Sequence, residues 1–468
     1  MQRRQLLIYI LCISYPLAAF SQQTSPSIAE VLKRAQELFK HSEQTPSPAS
    51  DTPGLKRPDE HFAEQTADDL NKSGFDKYLH GDYDGAIADY TKAILLNPKS
   101  SEAYSNRGDA KLFKTDYDGA LADGNQAIAL DPKSAAAYSV RGQAKSAKSD
   151  YDGAIADFDQ AISLSPSSQY LTHRALAKKS KRDLDGAIAD FTKAIELGYS
   201  DPDTLYQWRG DVKRMKNDLD GAIEDYTQAI ALKPANAFYY HYRGESEEQK
   251  RAYHDAMADY SKEIELDPKS AGGYMDRGGL EVIQENYDAA LADFSKAIEL
   301  QPKMYCMAFA KRGLIKEFQG DSEGALNDFK QCATLSPYPF LTDYAALRIW
   351  VVKARKGQTD QANQELSDYL AKRSAGKPGD WLVRVARFLT GQMGEPEFLA
   401  AATSSDAHVN RHQQCQTWYY CGLKQLLSGN RKLAADDFAK SIATEQTSVP
   451  EYACAKFELK ALGVAQAQ

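Results

Sequence analysis

The chain has 468 residues, with 57 Lys and Arg against 65 Asp and Glu, so its formal net charge is -8. This length allows two to four globular domains or one extended array. A hydrophobic share of 43% with 26% charged residues excludes a largely disordered chain. The acidic balance argues against nucleic acid as a partner, because a polyanion repels a net-negative surface. Six cysteines are too few for a fold built on disulfides.

The N-terminus has the three parts of a secretory signal. Two arginines precede the apolar run 6–20, and Ala19 and Ser21 are small residues at the positions that signal peptidases require. The run is shorter than the ~20 residues that span a bilayer. We therefore expect a signal peptide at 1–21, export to the periplasm or the extracellular space, and no integral membrane segment after cleavage.

Residues 22–66 are poor in core-forming side chains. The apolar positions of 27–41 predict one short helix. The segment 42–58 is rich in Pro, Ser and Thr, which is typical of a flexible linker. We interpret the region as a spacer.

A nine-residue motif, Asp-Tyr-Asp-Gly-Ala-Ile-Ala-Asp-Tyr at 82–90, recurs along the chain. Its central alanine, here called the anchor, returns every 33 to 35 residues, at Ala86, Ala120, Ala154, Ala187, Ala222, Ala256, Ala290 and Ala325. A fixed period near 34 indicates a stacked supersecondary unit.

Other residue types keep constant distances from the anchor. A small residue lies twelve positions before it, an aromatic residue usually lies sixteen before and four after it, and a proline usually lies twelve after it. Small residues let two helices approach closely, and aromatic residues fill the space between them. An aspartate stands where each second helix should begin, which suits an N-cap: Asp82, Asp116, Asp150, Asp183 and Asp218.

This combination resembles the tetratricopeptide repeat (TPR), in a variant with Arg-Gly where the common form has Leu-Gly. The resemblance covers about 67–338 in eight units. It implies an all-α fold, an α-α superhelix of stacked antiparallel helix pairs. It also implies a non-enzymatic protein-protein interaction scaffold that binds an extended peptide or a protein in a concave groove.

The C-terminal region 339–468 follows the repeat pattern loosely. Degenerate units are expected at about 343–376 and 415–448, with two shorter helices at 381–390 and 396–402 between them. The segment 451–462 should form a helix that covers the open end of the stack. This layout resembles exported bacterial repeat adaptors.

The resemblance implies that first-helix positions fifteen, eleven and eight before the anchor line the groove. In repeats 5 to 8 the candidate binding residues among them are Gln207, Asp211, His241, Glu245, Glu248, Met275 and Leu314. Acids outnumber bases across the lining, which favours a basic or neutral segment with one or two apolar anchors. The Lys, Asn and Arg set with which related proteins clamp a C-terminal carboxylate is absent. The alternative is binding through the convex face.

Arginine one position before the small residue recurs together with aspartate three positions after the anchor, which indicates a ladder of ion pairs. Arg107 has two candidate partners: Asp123 of its own unit and Asp89 of the preceding unit. We expect the pair with the preceding unit, because the first helix of one unit packs on the second helix of its predecessor. In repeat 2, Gly124 replaces the second-helix aromatic, and we expect Leu112 or Phe113 to fill the space.

The sequence has no catalytic motif, and we expect no cofactor. One cluster has ligand chemistry: His408, His412 and Cys415 would share a helical face in an acceptable zinc geometry, with a fourth ligand from elsewhere. The alternative is two surface histidines beside a cysteine that begins a helix.

The cysteines that remain after signal cleavage offer several pairings. Cys306 and Cys332 are candidates for a disulfide, since they open and close the two helices of repeat 8. The alternative is a pair of small buried residues. Cys415 or Cys421 could instead pair with Cys454.

Three classes of function remain. The first is a protein-binding adaptor of the periplasm or cell envelope. The second is a structural or chaperone-like component of an envelope assembly. The third, more remote, is a metal- or thiol-dependent activity at the C-terminal His/Cys cluster. The partner protein or peptide and the oligomeric state are not indicated by the sequence.

Overall fold

The structure is a computed structural model. It describes residues 66–199, 201–373, 380–403, 406–446 and 449–463. The expected signal peptide and nearly all of the linker lie outside the described residues. Within the described ranges the regular structure is entirely helical, which confirms the predicted fold class of antiparallel helix pairs.

Helices succeed one another through short turns. Along the described residues they are α1 Ala67–Leu79, α2 Tyr83–Leu96, α3 Ser101–Phe113, α4 Tyr117–Leu130, α5 Ala135–Ala147, α6 Tyr151–Leu164, α7 Ser168–Ser180, α8 Leu184–Glu196, α9 Pro202–Met215, α10 Leu219–Leu232, α11 Ala237–Gln249, α12 Tyr253–Leu266, α13 Ala271–Ile283, α14 Tyr287–Leu300, α15 Cys306–Gln319, α16 Ser322–Leu335, α17 Pro339–Arg355, α18 Thr359–Lys372, α19 Trp381–Leu389, α20 Glu395–Ala401, α21 Ala407–Leu427, α22 Arg431–Ala443 and α23 Pro450–Ala461.

The turn between the two helices of a repeat is built from its own residues. The residue five positions before the anchor has a left-handed backbone, as in Gly81 (φ 76°) and Thr115 (φ 61°). The aspartate that follows caps the second helix: Asp82 accepts a hydrogen bond from the Gly85 N–H at 2.9 Å. A Cβ on Gly85 would lie 2.0 Å from the Asp82 carboxylate, so the glycine leaves room for the cap. The predicted N-caps are confirmed at all five positions.

The chain forms two compact units, one up to Lys250 and one from Arg251 onward. In the N-terminal unit the core is divided into small clusters, about one per repeat. In repeats 1, 3 and 5 a glycine of the first helix faces an aromatic ring of the second helix. A Cβ on Gly74 would lie 2.7 Å from the Tyr90 ring, and one on Gly210 would lie 2.9 Å from the Tyr226 ring.

In repeat 2 the space left by the missing aromatic side chain is filled differently from our expectation. A Cβ on Gly124 would lie 3.0 Å from the Arg141 Cβ and 3.2 Å from the Arg141 backbone, so α5 approaches α4 closely at this point. The place that an aromatic ring takes elsewhere is taken by Val140, whose Cγ1 lies 2.7 Å from the Cβ position of Gly108. Leu112 packs in the same cluster. Phe113, in contrast, stacks on Tyr83, with the ring centroids 4.8 Å apart.

The predicted ladder of ion pairs exists, but the preferred register was wrong. Arg107 forms a bidentate pair with Asp123 of its own repeat, with Nε–Oδ2 2.9 Å and Nη2–Oδ1 2.7 Å. The third donor, Nη1, reaches Thr91 Oγ1 of the preceding repeat at 3.2 Å. Asp89 accepts from Lys77 instead. Pairs within one repeat recur as Arg141–Asp157, Arg174–Asp190, Arg209–Asp225, Arg277–Asp293 and Arg312–Asp328.

The register follows from the three-pronged shape of guanidinium. Two of its nitrogens, Nε and Nη2, donate hydrogen bonds to the carboxylate on the second helix of the same repeat. The third, Nη1, donates to a small polar side chain on the second helix of the preceding repeat. That side chain lies five positions after the anchor, as in Thr91, Asn125 and Thr192. The arginine therefore links neighbouring repeats although its aspartate partner belongs to its own repeat.

Most of the buried apolar residues of the C-terminal unit form one large continuous core, beside two smaller clusters. A buried polar network joins its distant helices. Arg348 on α17 is 2% exposed; its Nη2 lies 2.5 Å from Glu317 Oε1 on α15, and its Nη1 donates to Tyr419 on α21 at 3.0 Å. The terminal helix α23 contributes Cys454, whose Sγ lies 3.5 Å from the Arg348 Nη1, and Phe457, whose ring centroid lies 4.0 Å from that of Phe318. We expected this helix to cover the end of the stack; it also packs against α15 and α17.

Candidate functional site

The first helices of the N-terminal unit form what we call the first-helix wall: α1, α3, α5, α7, α9 and α11. Polar contacts tie neighbouring members together, as between Tyr78 and Asp109 and between Arg214 and Glu245. Five of the predicted binding residues lie on this wall and are partly buried: Gln207, Asp211, His241, Glu245 and Glu248.

Four of the wall residues form a local charge cluster. Arg214 donates to Glu245 at 2.7 Å, and His241 Nε2 lies 3.7 Å from the same carboxylate. Asp211 accepts a hydrogen bond from the Tyr226 hydroxyl at 2.8 Å. Burial raises the pKa of Asp211, although the positive charge of Lys179 and the Tyr226 hydrogen bond oppose the shift. Glu245 therefore has its counter-ion within the wall, whereas Asp211 has only nearby positive charge.

The two apolar residues among the predicted groove positions do not lie on this wall. Met275 and Leu314 belong to the C-terminal unit, where they are 8% and 2% exposed and form part of its continuous core. The repeat template places them on the groove, but in this structure their side chains are not at the surface. Glu317, at a template groove position of repeat 8, is likewise buried by its pair with Arg348.

Another carboxylate of the wall lies at a template groove position, but the sequence reasoning did not single it out as a binding residue. Asp109 on α3 occupies the same repeat position as Asp211, eleven before the anchor, and accepts from the Tyr78 hydroxyl at 2.6 Å. Repeat 1, which contributes Tyr78 and the exposed Phe75, was not included in our list of groove positions. Extending the template by one repeat would have placed Phe75, Tyr78 and Asp109 together.

One ring nitrogen on the wall has no hydrogen-bond partner. His173 Nδ1 on α7 is buried and unpaired, and burial lowers the pKa of this histidine to about 4. Its ring lies against Phe158, with centroids 5.7 Å apart. The imidazole is therefore neutral at physiological pH.

Only part of the candidate metal site lies among the described side chains. Cys415 is buried, and its Sγ lies 3.5 Å from Ser441 Oγ. Burial raises the pKa of this thiol to about 11, which disfavours the thiolate that binds zinc. His412 is partly buried, and the His408 side chain lies outside the described part of the chain. Among the described residues no three His, Cys, Asp or Glu side chains are grouped as metal ligands.

The candidate disulfide is not formed. Cys306 and Cys332 are buried free thiols, as are Cys415, Cys421 and Cys454. Burial raises the pKa of Cys332 to about 12, and the nearby Cys306 adds to the shift. The two residues act here as small buried side chains.

None of the described helices is both long and apolar enough to cross a membrane.

Comparison with known families agrees with the repeat geometry. A model described as TPR repeat matches residues 76–112 and 210–250, and models described as tetratricopeptide repeat match 107–169, 139–203 and 271–304. The chain is a tetratricopeptide-repeat protein. No curated protein matches it.

Solved structures similar to this TPR protein include two bacterial ones. The C-terminal part of a TPR repeat-containing protein from Cytophaga hutchinsonii is 18% identical, with 51% of this chain and 98% of that chain covered and a TM-score of 0.46. A tetratricopeptide repeat protein from Parabacteroides merdae is 20% identical over 51% and 94%, with a TM-score of 0.39. The first TPR of Spaghetti, bound to an HSP90 peptide, is 28% identical over 25% and 97%, with a TM-score of 0.25.

Proposed function

We propose that the protein is a non-enzymatic scaffold that binds an extended segment of a protein partner on the first-helix wall of its N-terminal unit. TPR domains are a protein-interaction fold. The observation that carries the proposal is the row of partly buried polar side chains on α9 and α11, Gln207, Asp211, His241, Glu245 and Glu248. Partly buried polar groups on a rigid wall fix the orientation of a ligand and give specificity.

The charge of this row favours a basic or neutral ligand. Three acids stand with Arg214 and His241, and Arg214 is already paired with Glu245. The carboxylates outnumber the cationic side chains in this row, which gives a negative charge that a basic segment would complement. Apolar groups of the ligand would contact the first-helix wall and not Met275 or Leu314, because these two side chains are buried in the other unit.

A selection experiment tests this proposal. The full chain would select binders from a random peptide display library, in parallel with a variant carrying Asp211→Lys, Glu245→Lys and Glu248→Lys. The control carries Asp118→Lys, Asp152→Lys and Asp185→Lys, which change the net charge equally at side chains 84%, 79% and 79% exposed. We expect the wild type and the control to enrich the same sequences and the wall variant to lose them. If a folded wall variant retains those sequences, the binding surface lies elsewhere.

We also propose that the protein is exported, to the periplasm or beyond, and works in the cell envelope. The support is the signal-like pattern of residues 1–21. N-terminal sequencing of the mature protein from the envelope fraction should begin at Gln22. An intact Met1 on the mature protein would contradict cleavage.

A further inference from the structure

Asp109 and Asp211 differ from the other buried or partly buried aspartates of the N-terminal unit in having no ion-pair partner among the described residues. Asp123, Asp157, Asp190 and Asp225 each lie within 3.0 Å of both an arginine and a lysine nitrogen. In the part of the chain that the structure describes, no lysine, arginine or histidine nitrogen lies within 4.0 Å of the Asp109 carboxylate. A partly buried carboxylate without a cation is unfavourable unless something compensates it.

The groups around Asp109 are phenols. Tyr78 from α1 donates its hydroxyl to the carboxylate at 2.6 Å. Burial raises the pKa of Tyr90 on α2 and of Tyr170 on α7, and in each case the charge of Asp109 adds to the shift. The pKa of Asp109 itself is raised by burial, against the Tyr78 hydrogen bond. Tyr78 thus donates directly to this carboxylate, and tyrosines on α2 and α7 lie within reach of its charge.

An exposed aromatic ring completes the surroundings. Phe75 occupies in repeat 1 the position that Asp109 occupies in repeat 2, and it is 48% exposed. Its ring stacks on that of Tyr78, with centroids 6.4 Å apart and an angle of 10° between the planes. The wall therefore shows an open aromatic face next to an uncompensated carboxylate, a combination that suits a cation with an apolar stem.

We propose that Asp109 and Phe75 form a binding site for one lysine or arginine side chain of the partner. The cationic head would pair with Asp109, and the aliphatic stem would lie on Phe75. The inference rests on the proposed function, since the partner segment carries the cation, and it adds a position and a chemistry. Asp211 is a weaker candidate for the same role, because the positive charges of Lys179 and Arg214 already act on its carboxylate.

The test measures binding of fluorescein-labelled hexalysine and hexaarginine to the full chain by fluorescence anisotropy, with labelled hexaglutamine as the neutral probe. The variant is Asp109→Asn, and its matched control is Asp118→Asn, which removes the same charge from an exposed side chain on α4. We expect Asp109→Asn to weaken binding of the cationic probes about tenfold, equivalent to ~1.4 kcal/mol, and Asp118→Asn to change it less than about twofold. Comparing the two cationic probes shows which head group the site prefers.

A second variant separates binding from structure. Tyr78→Phe removes the hydroxyl but keeps the charge of Asp109, so it should keep cation binding. If the Tyr78–Asp109 bond only holds repeats 1 and 2 together, both variants should unfold at lower temperature and lose binding equally, and the inference fails. It also fails if Asp109→Asn binds as Asp118→Asn does, or if the wild type binds hexaglutamine as well as hexalysine. Neither of these two results affects the display selection, which tests the proposed function separately.

Discussion

The register of the arginine ladder can be measured on the pair Arg209–Asp225. Arg209 Nε lies 2.9 Å from Asp225 Oδ2 and Nη2 lies 2.6 Å from Oδ1, and the carboxylate side chain is only 3% exposed. Removing one member of a buried pair costs about 3–5 kcal/mol when the other charge is left alone. Here Lys213 stays at 3.0 Å from Asp225. We therefore expect Arg209→Met to cost less, about 2 kcal/mol.

The opposite deletion should cost more. Asp225→Leu leaves both Arg209 and Lys213 without their carboxylate, and we expect a loss of about 3 kcal/mol. In the double variant the mutual attraction is already gone, so the loss should stay near 3 kcal/mol rather than reach the sum. The resulting coupling energy is about 2 kcal/mol, within the usual range for residues in direct contact.

The preceding repeat supplies the control. Asp190 pairs with Arg174 and Lys178, and the contact of Arg209 with that repeat is to Thr192 Oγ1, at 3.0 Å. Arg209→Met combined with Asp190→Leu should therefore be additive within about 0.5 kcal/mol. The assay is urea unfolding of the full chain followed by circular dichroism, fitted as coupled repeats because such arrays depart from two-state behaviour. If the effects of the Arg209 and Asp225 substitutions add while those of Arg209 and Asp190 are coupled, pairing within the repeat is refuted.

Three further predictions concern stability. Thr115→Gly should raise the free energy of unfolding by about 1 kcal/mol in urea titrations, because Thr115 has φ 61°; a destabilised variant would contradict this. Gly124→Ala should reduce the free energy of unfolding by about 1–3 kcal/mol, since its Cβ would meet Arg141 at 3.0 Å. A Cβ on Gly279 would meet only the Lys311 Nζ, at 3.8 Å, so Gly279→Ala should gain about 1 kcal/mol; equal effects of the two substitutions would show that α4 and α5 can separate freely. Because burial raises the pKa of Asp109, its ionised form opposes folding: the penalty is present above the raised pKa and vanishes below the ordinary value of 3.8. Asp109→Asn should thus have a higher Tm than wild type near pH 7 and no advantage near pH 3, and a constant difference would rule out titration of Asp109 as the cause.

The repeat pattern contains enough information to predict the helices but not the partner of each arginine. Asp89 and Asp123 stand at the same repeat position, so their recurrence with Arg107 is equally regular in either register. The choice depends on the three-dimensional reach of one guanidinium, which satisfies Asp123 with two donors and Thr91 with the third. Periodicity cannot express that geometry.

The candidate site was predictable only where the repeat is regular. The wall positions on α9 and α11 follow the template, and Asp211, His241 and Glu245 lie together as it implies. The prediction that Leu314 lines the groove was wrong, because the C-terminal unit packs residues far apart in sequence into one core. Such contacts leave no periodic signal in the sequence. Asp109 was inconspicuous for another reason: what distinguishes it is the missing counter-ion, which only coordinates reveal.

The buried network of the C-terminal unit has a consequence for synthesis on the ribosome. Arg348 contacts Tyr419 and Cys454, which lie 71 and 106 residues further along the chain. Repeats in the N-terminal unit contact mainly their neighbours, so each can fold soon after the next has been made. Arg348 and Glu317 must wait until α23 has left the exit tunnel before the core around them can close. We therefore expect nascent chains that stop short of Pro450 to hold a folded N-terminal unit and an open, protease-sensitive C-terminal one.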